Sequence, residues 1–404
     1  MRAYRRRILI ALACGVGFAG ATAPAQSRNS GSVVKAVERR VTDRAYPSVF
    51  QAWNMADNLK GEDPLTTVAR HDLVFNAPYF FGLLWEGPFS GLATNFTAAS
   101  IAKGIEIRKL LLGKNPNMVV LAEVRYRDAG ADYLPPAHRW WKLDKDGKRQ
   151  AANKDGAAFK LDFASLEYQA QLARHVRAVM KCGAFDGIML DGWQVEDDDR
   201  ARLIRKVREA AGEQALILVN TGQNKALRAA TYINGCYLEC GQAGTDQDWQ
   251  GTAAALEWAE ENVRKPRINC IETSYRKSRD DLALMRASTT LCLTLSNGYC
   301  LFADPDALPT LDHLHNWYPF WDMKLGKATG AAVKRADGSI SREFDLGTAV
   351  YNPVGSRTTA VAFPEARTSA ATGRTAKEHT VNGGDGDLFL KAAPQPAAGA
   401  KRSP

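Results

Sequence analysis

The chain has 404 residues, of which 45% are hydrophobic and 24% charged; this ordinary globular balance excludes a disordered or fibrous chain and leaves room for a large barrel with an appendage. The formal net charge is +9, but lysines and arginines are scattered among acids and form no basic stripe. That argues against a nucleic-acid partner and speaks mainly for solubility.

In chain order, residues 1–25 read as a signal peptide. "MRAYRRR" is a basic start, "ILIALACGVGFAG" an apolar stretch too short to span a bilayer comfortably, and "ATAPAQS" offers small residues at a cleavage site. Removing Arg2, Arg5, Arg6 and Arg7 leaves a mature charge of +5, and the mature protein is expected to be periplasmic or secreted. Lipid anchoring at Cys14 is the weaker expectation, because the residues before it make a poor lipobox. Residues 26–44 are expected to be a linker. No later run is long and apolar enough for a membrane span.

Eight short apolar runs then alternate with helical patterns: 48–53, 72–77, 117–126, 187–193, 215–222, 235–241, 267–275 and 298–304. In "ASLEYQAQLARHVRAVMKCG", Leu166, Ala170, Ala173, Val176 and Met180 recur at helical spacing before Gly183. Strands apolar on both faces, each followed by a helix, imply a parallel sheet covered by helices. Eight such units predict an α/β fold, a (β/α)8 TIM barrel over 45–330.

The segment between the third and fourth strands is about sixty residues long, and a loop of that size is functional more often than idle. It carries adjacent Trp140 and Trp141, which makes Trp141 a candidate substrate contact. The "EDDD" tract at 196–199 reads as the acidic first turn of the next helix. Beyond the barrel, short alternating strands with Gly and Asn turns predict a small all-β domain over 331–391, followed by a disordered tail, 392–404. The six cysteines after Cys14 form no CxxC pair and read as buried hydrophobes, although an oxidising compartment would permit a disulfide. His313 and His315, two apart, make no zinc site by themselves and read as packing or loop residues.

In such a barrel the active site lies at the carboxyl ends of the strands. Those ends carry Trp53, Asn76, Glu123, Arg125, Tyr126, Asp191, Trp193, Asn220, Glu239, Glu272, Tyr275 and Asp304, and nothing comparable marks the amino-terminal ends. Several carboxylates among aromatic residues suit glycoside hydrolysis, in which one acid protonates the departing oxygen and a second attacks the sugar or activates water. Asp191, closing "GIMLD", is the candidate nucleophile, and Glu239, in "CYLECG", its partner across the mouth. Glu123, Glu272, Asn220 and Arg125 are candidate substrate-orienting groups; Trp53, Asn76, Tyr126, Trp193 and Tyr275 complete the expected sugar contacts. No cofactor and no metal are expected: magnesium on Asp191, Glu239 and Glu272 would need a basic Lys or His at a strand end. The expected partner is an oligo- or polysaccharide, and a non-catalytic glycan-binding barrel is the alternative reading.

The stretches "FQAWNMAD", "VVLAEVRYRDA", "FDGIMLDGW", "YLECG", "RINCIETSY" and "LHNWYPFWDMKLG" together resemble an uncharacterised "hypothetical glycosyl hydrolase" barrel family, distantly similar to the α-galactosidase clan. The resemblance covers nearly all of the mature chain. It implies a retaining mechanism with a nucleophilic Asp ending the fourth strand, matched by Asp191, and an acid/base carboxylate ending the sixth, matched by Glu239. The chain departs from the clan in having Glu rather than Asp in the sixth-strand role and "MLD" in place of a Lys-x-Asp fourth strand.

Overall fold

The computed structural model describes residues 35–153, 156–240, 246–275, 278–305 and 313–392. The expected signal peptide, the first part of the linker and the tail beyond 392 lie outside these residues. The linker expectation fails from residue 37 onward. Helix α1 (Val37–Thr42) forms there, and two buried arginines, Arg40 and Arg44, anchor the segment to the barrel.

Strand β1 (Phe50–Ala52) opens the barrel. It is followed by α2 (Pro64–Ala69), β2 (Leu73–Asn76), α3 (Ala98–Lys114) and β3 (Val119–Glu123). Then comes an insertion with its own antiparallel pair, β4 (Asp128–Gly130) and β5 (Ala158–Lys160). The alternation resumes with α4 (Leu166–Lys181), β6 (Gly187–Leu190), α5 (Asp198–Ala211), β7 (Leu216–Gly222) and β8 (Gly235–Cys240). Helix α6 (Asp246–Asn262), β9 (Cys270–Ser274), α7 (Leu282–Leu295) and β10 (Tyr299–Ala303) complete it.

All eight barrel strands pair in parallel, in the order β1-β2-β3-β6-β7-β8-β9-β10. A parallel bridge between Val49 and Cys300 joins the last strand to the first. Phe50, Phe75 and Tyr237 meet inside, with ring centroids 5.5 to 6.1 Å apart. They fill the barrel beneath the site, so the interior is a packed core and no pore.

The amino-terminal rim is not bare, contrary to the expectation. Asp186 accepts from the amide of Val120, Asn234 from Ile217 and Asn269 from Cys236, at 3.0, 3.2 and 2.9 Å. Each stands immediately before a strand and satisfies an N–H of the neighbouring strand, a structural duty that buried backbone donors require. Asp186 also binds the Arg40 guanidinium through both nitrogens and Arg108 at 2.5 Å, which pins α1 across the closed end. These bonds hold its carboxyl below the usual range against the opposing effect of burial.

The "EDDD" tract starts α5 as expected: Asp197 caps it by accepting from Arg200 N at 2.7 Å, and Asp198 and Asp199 occupy the first turn. The six cysteines from Cys182 to Cys300 are buried free thiols. No helix among the described residues is long and apolar enough to cross a membrane.

The C-terminal sheet comprises β11 (Val333–Lys334), β12 (Ile340–Phe344), β13 (Gly347–Asn352), β14 (Thr359–Ser369), β15 (Thr375–Val381) and β16 (Asp385–Lys391). It is antiparallel, in the order β11-β12-β13-β16-β14-β15. It docks on α7, where Asp385 takes a two-pronged ion pair from Arg286 at 2.9 and 2.8 Å.

Replacing Asp186 with Ala should destabilise the fold by about 3–5 kcal/mol, because it strands a buried guanidinium without its counter-charge. Urea denaturation followed by tryptophan fluorescence measures it, and a loss below about 1 kcal/mol would show that the triad is not what secures α1.

Candidate active site

The fourth barrel strand, β6, delivers Asp191 to the carboxyl rim, and the next residue shapes the turn beyond it. Gly192 has φ +76°, a left-handed conformation that an L side chain adopts only at a cost. A Cβ there would lie 2.4 Å from Arg127 Nε. The glycine thus lets the Arg127 guanidinium cross the turn and reach Asp191 Oδ2 at 3.3 Å.

The same turn corrects an expectation. In a continuous strand Asp191 and Trp193 would share a face. The left-handed glycine breaks the alternation and sends Trp193 inward, where it is buried against Tyr126 at a ring distance of 5.6 Å. Tyr126 is equally buried and donates its hydroxyl to the Gly192 carbonyl at 2.8 Å. Both residues hold the turn and neither lines the cleft.

Asn220, on β7, joins the two candidate acids. Its Nδ2 donates to Asp191 Oδ1 at 2.9 Å and to Glu239 Oε2 at 3.0 Å. Its Oδ1 accepts from the Gly222 amide at 2.9 Å, which fixes which end of the amide faces the carboxylates. A bulge in the β7–β8 pairing between Asn220 and Gly222 re-aims the side chain. Asp191 and Glu239 therefore lie side by side over β7, bridged by one amide, and do not face each other across the mouth.

Glu239, on β8, is part-buried, and its environment differs from that of Asp191. Burial, reinforced by the nearby charge of Glu272, pushes its carboxyl up to about 7. Glu272, on β9, is buried below the rim rather than in the cleft. It accepts from the Tyr237 hydroxyl and shares a hydrogen bond with His313 Nδ1 at 2.8 Å. Tyr237 also lies 3.1 Å from Glu239 Oε1.

Glu239, Glu272 and His313 bring ligand-type atoms within 4.8 Å of one another, but these atoms are turned on each other and on Tyr237. The trio is joined by hydrogen bonds through Tyr237 and His313.

Above the acids lies a cleft of about 770 Å³. Of the candidate residues, Trp53, Glu123, Arg125, Asp191, Asn220 and Glu239 line it. Glu123 accepts from Arg125 at 3.1 Å, and its carboxyl is raised by burial, with Arg125 pulling the other way.

Trp53 and His313 have φ of 47° and 57°, the only left-handed non-glycine residues among those described. Such conformations cost on the order of 1–3 kcal/mol each and persist where surroundings over-determine them. Their rings meet at 4.7 Å, and Asn76 donates its amide to the Trp53 carbonyl. Asn76 therefore supports the turn at Trp53 and is not among the residues lining the cleft.

Trp141 is also displaced from its expected role. It is buried in the core of the insertion with Leu134, Trp140, Leu161 and Tyr168, its indole N–H on the Pro135 carbonyl at 2.9 Å. Tyr275 packs toward Phe302 and lies outside the cleft lining. The insertion instead contributes Arg127 and Tyr133 to the wall, and the segment after β2 contributes Tyr79 and Trp85. Of these missed residues, Tyr79 and Trp85 carried a signal, since "YFFGLLWEG" follows the second strand end.

No protein-family model matches the sequence, and no curated protein matches it. Solved structures do. One is a maltogenic α-amylase, AmyB, from Thermotoga neapolitana: 9% identity, 87% of this chain and 99% of that one covered, TM-score 0.50. The fold is shared. An α-amylase from Malbranchea cinnamomea matches at 11% identity over 87% and 97% of the two chains, TM-score 0.50. A cyclic α-maltosyl-(1→6)-maltose hydrolase from Arthrobacter globiformis matches at 11% identity over 88% and 100%, TM-score 0.50.

Gly192→Ala should lower kcat/KM by displacing Arg127 while leaving the barrel folded. Combined with Arg127→Ala it should add little, because both changes remove one contact. Full additivity in a double-mutant cycle would separate the glycine from the arginine.

Proposed function

We propose that the chain is a glycoside hydrolase that cleaves α-linked oligo- or polysaccharides with retention, using Asp191 as nucleophile and Glu239 as general acid and then base. The observation that carries this reading is the Asn220 amide shared by both carboxylates. Asp191 Oδ1 and Glu239 Oε2 are bonded to one nitrogen at 2.9 and 3.0 Å, which draws the two carboxylates together and favours the closer spacing of retaining enzymes, roughly 5–5.5 Å between carboxyl groups, over the roughly 6.5–9.5 Å that admits a water.

In the first step Glu239 gives its proton to the departing glycosidic oxygen while Asp191 attacks the anomeric carbon, forming a glycosyl ester. In the second, the Glu239 carboxylate takes a proton from water, and the resulting hydroxide displaces the Asp191 carboxylate from the sugar. The raised Glu239 carboxyl suits the acid role, since a catalytic acid works best with a pKa near the operating pH. Support for an α-linked substrate comes from the activities named for the amylase and maltose hydrolase that share the fold. The resemblance to the "hypothetical glycosyl hydrolase" family, with its tie to the α-galactosidase clan, points the same way. The basic and apolar start of the sequence supports export to the periplasm or beyond.

Asp191→Asn should abolish turnover, and Glu239→Gln should reduce it about 10²–10⁴-fold on a natural glycan. The Glu239 loss should shrink on an aryl glycoside whose leaving group needs no proton. Wild-type turnover in either variant would remove that residue from its role; glycan binding without turnover in the wild type would leave a glycan-binding barrel.

Glu239 must be protonated to act as the acid, so kcat/KM should be sustained below pH 7 and fall as pH rises through about 7. A profile still rising at pH 8 would contradict the assignment.

A further inference from the structure

Tyr237 has one hydroxyl hydrogen and two carboxylate neighbours. Its oxygen is in hydrogen-bonding contact with Glu272 Oε2 and lies 3.1 Å from Glu239 Oε1. A phenol donates once, so the second contact is a hydrogen bond only if one carboxyl brings a proton of its own.

The remaining partners say which one. With its proton on Nδ1, His313 donates to both Glu272 oxygens at 2.8 and 3.0 Å, and the phenol donates to Oε2, so Glu272 is supplied with donors by its neighbours. On Glu239, Oε2 accepts from Asn220, which leaves Oε1 as the protonated oxygen. The chain of donors then runs from Glu239 to Tyr237 to Glu272, with His313 behind.

We propose that Tyr237 and Glu272, backed by His313, are positioning residues that keep a proton on Glu239 Oε1 between turnovers. This rests on the acid/base role proposed above for Glu239 and adds how that role is maintained.

The phenol gives the protonated carboxyl an acceptor. The Glu272 charge, buried in register with Glu239 on the neighbouring strand, makes the deprotonated form of Glu239 costly. Once Glu239 has given its proton to the leaving oxygen, Tyr237 faces two carboxylates with one hydrogen. The loss of a bond on that side favours taking a proton back from the incoming water. The proton count of the cluster is restored over the two steps: one proton passes from Glu239 to the leaving group, and one returns from water to Glu239.

The other charges around Glu239 are Asp191 with Arg127 on the β6 side and Glu123 with Arg125 from β3. Asp191 pushes the Glu239 carboxyl in the same direction as Glu272 but less strongly, while the Asn220 hydrogen bond and the His313 charge pull it down against the larger effects of burial and Glu272. Trp53 and His313 close the remaining side. Tyr237 itself is buried with its ring against Phe50 and Phe75, so Tyr237→Phe removes the hydroxyl and keeps the packing.

The test is infrared titration of the protonated-carboxyl C=O band, run on the full-length protein alongside the pH profile of kcat/KM. The wild type should show a band that fades around pH 7 and is absent in Glu239→Gln. In Tyr237→Phe and in Glu272→Gln its midpoint, and the alkaline limb of activity, should both move down by about one pH unit or more. Circular dichroism confirms that each variant is folded, and Glu272→Gln answers the question if Tyr237→Phe is not.

An unmoved midpoint in the folded variants would overturn the proposal. So would a band that survives Glu239→Gln and vanishes in Glu272→Gln, which would put the proton on the other acid. Failure of the enzymatic reading looks different: turnover would survive Glu239→Gln while the infrared midpoint still shifted.

Discussion

The side-chain amide of Asn220 is the contact on which the site depends. Adjacent strands stand about 4.8 Å apart, so residues two strands removed start roughly 10 Å apart at the backbone. Asp191 and Glu239 are in that relation, separated by β7. The amide draws one oxygen of each carboxylate to hydrogen-bonding distance from a common nitrogen, and the Gly222 amide holds its other end. The barrel supplies the register, but a single side chain sets the spacing, and in glycoside hydrolysis that spacing decides the stereochemical outcome.

Around this pair the chain gives two similar acids different surroundings. Asp191 stands at the rim with an arginine and an amide as donors. Glu239 shares a buried floor with a second carboxylate, a phenol and an imidazole. Separate environments give like groups separate tasks, one as nucleophile and the other as acid. The two left-handed residues at the cleft, Trp53 and His313, are part of the same construction. Asn76 holds the first by its carbonyl, and the second reaches Glu272, so local backbone cost is balanced by contacts that orient the floor.

The barrel was legible in the sequence because its strands are apolar on both faces and bounded by turns, and both acids were legible because they end such runs. What the pattern misplaced was the direction of side chains beyond the strand ends. Trp193 and Tyr126 looked like rim aromatics from their places at strand ends, but the left-handed Gly192 turns Trp193 inward and Tyr126 packs beneath the same turn with its hydroxyl on the Gly192 carbonyl. Trp141 looked functional because loops seldom carry paired tryptophans; here the loop is large enough to have a core of its own, and the indole fills it. Tyr237 carried a faint signal, standing two residues before Glu239 on the same strand face. Arg127 and His313 carried none, since each acts on a partner 64 or 41 positions away in the chain. The polar residues of the amino-terminal rim were overlooked because a buried strand-satisfying Asp or Asn cannot be told from a loop residue by composition.

The most direct test of the central claim is the anomeric configuration of the first product, followed by proton NMR before mutarotation scrambles it. Two acids tied to one amide predict that the α-anomer released from an α-linked substrate appears first. Initial release of the β-anomer would mean that water enters between the acids, and the shared amide would then not define the working geometry.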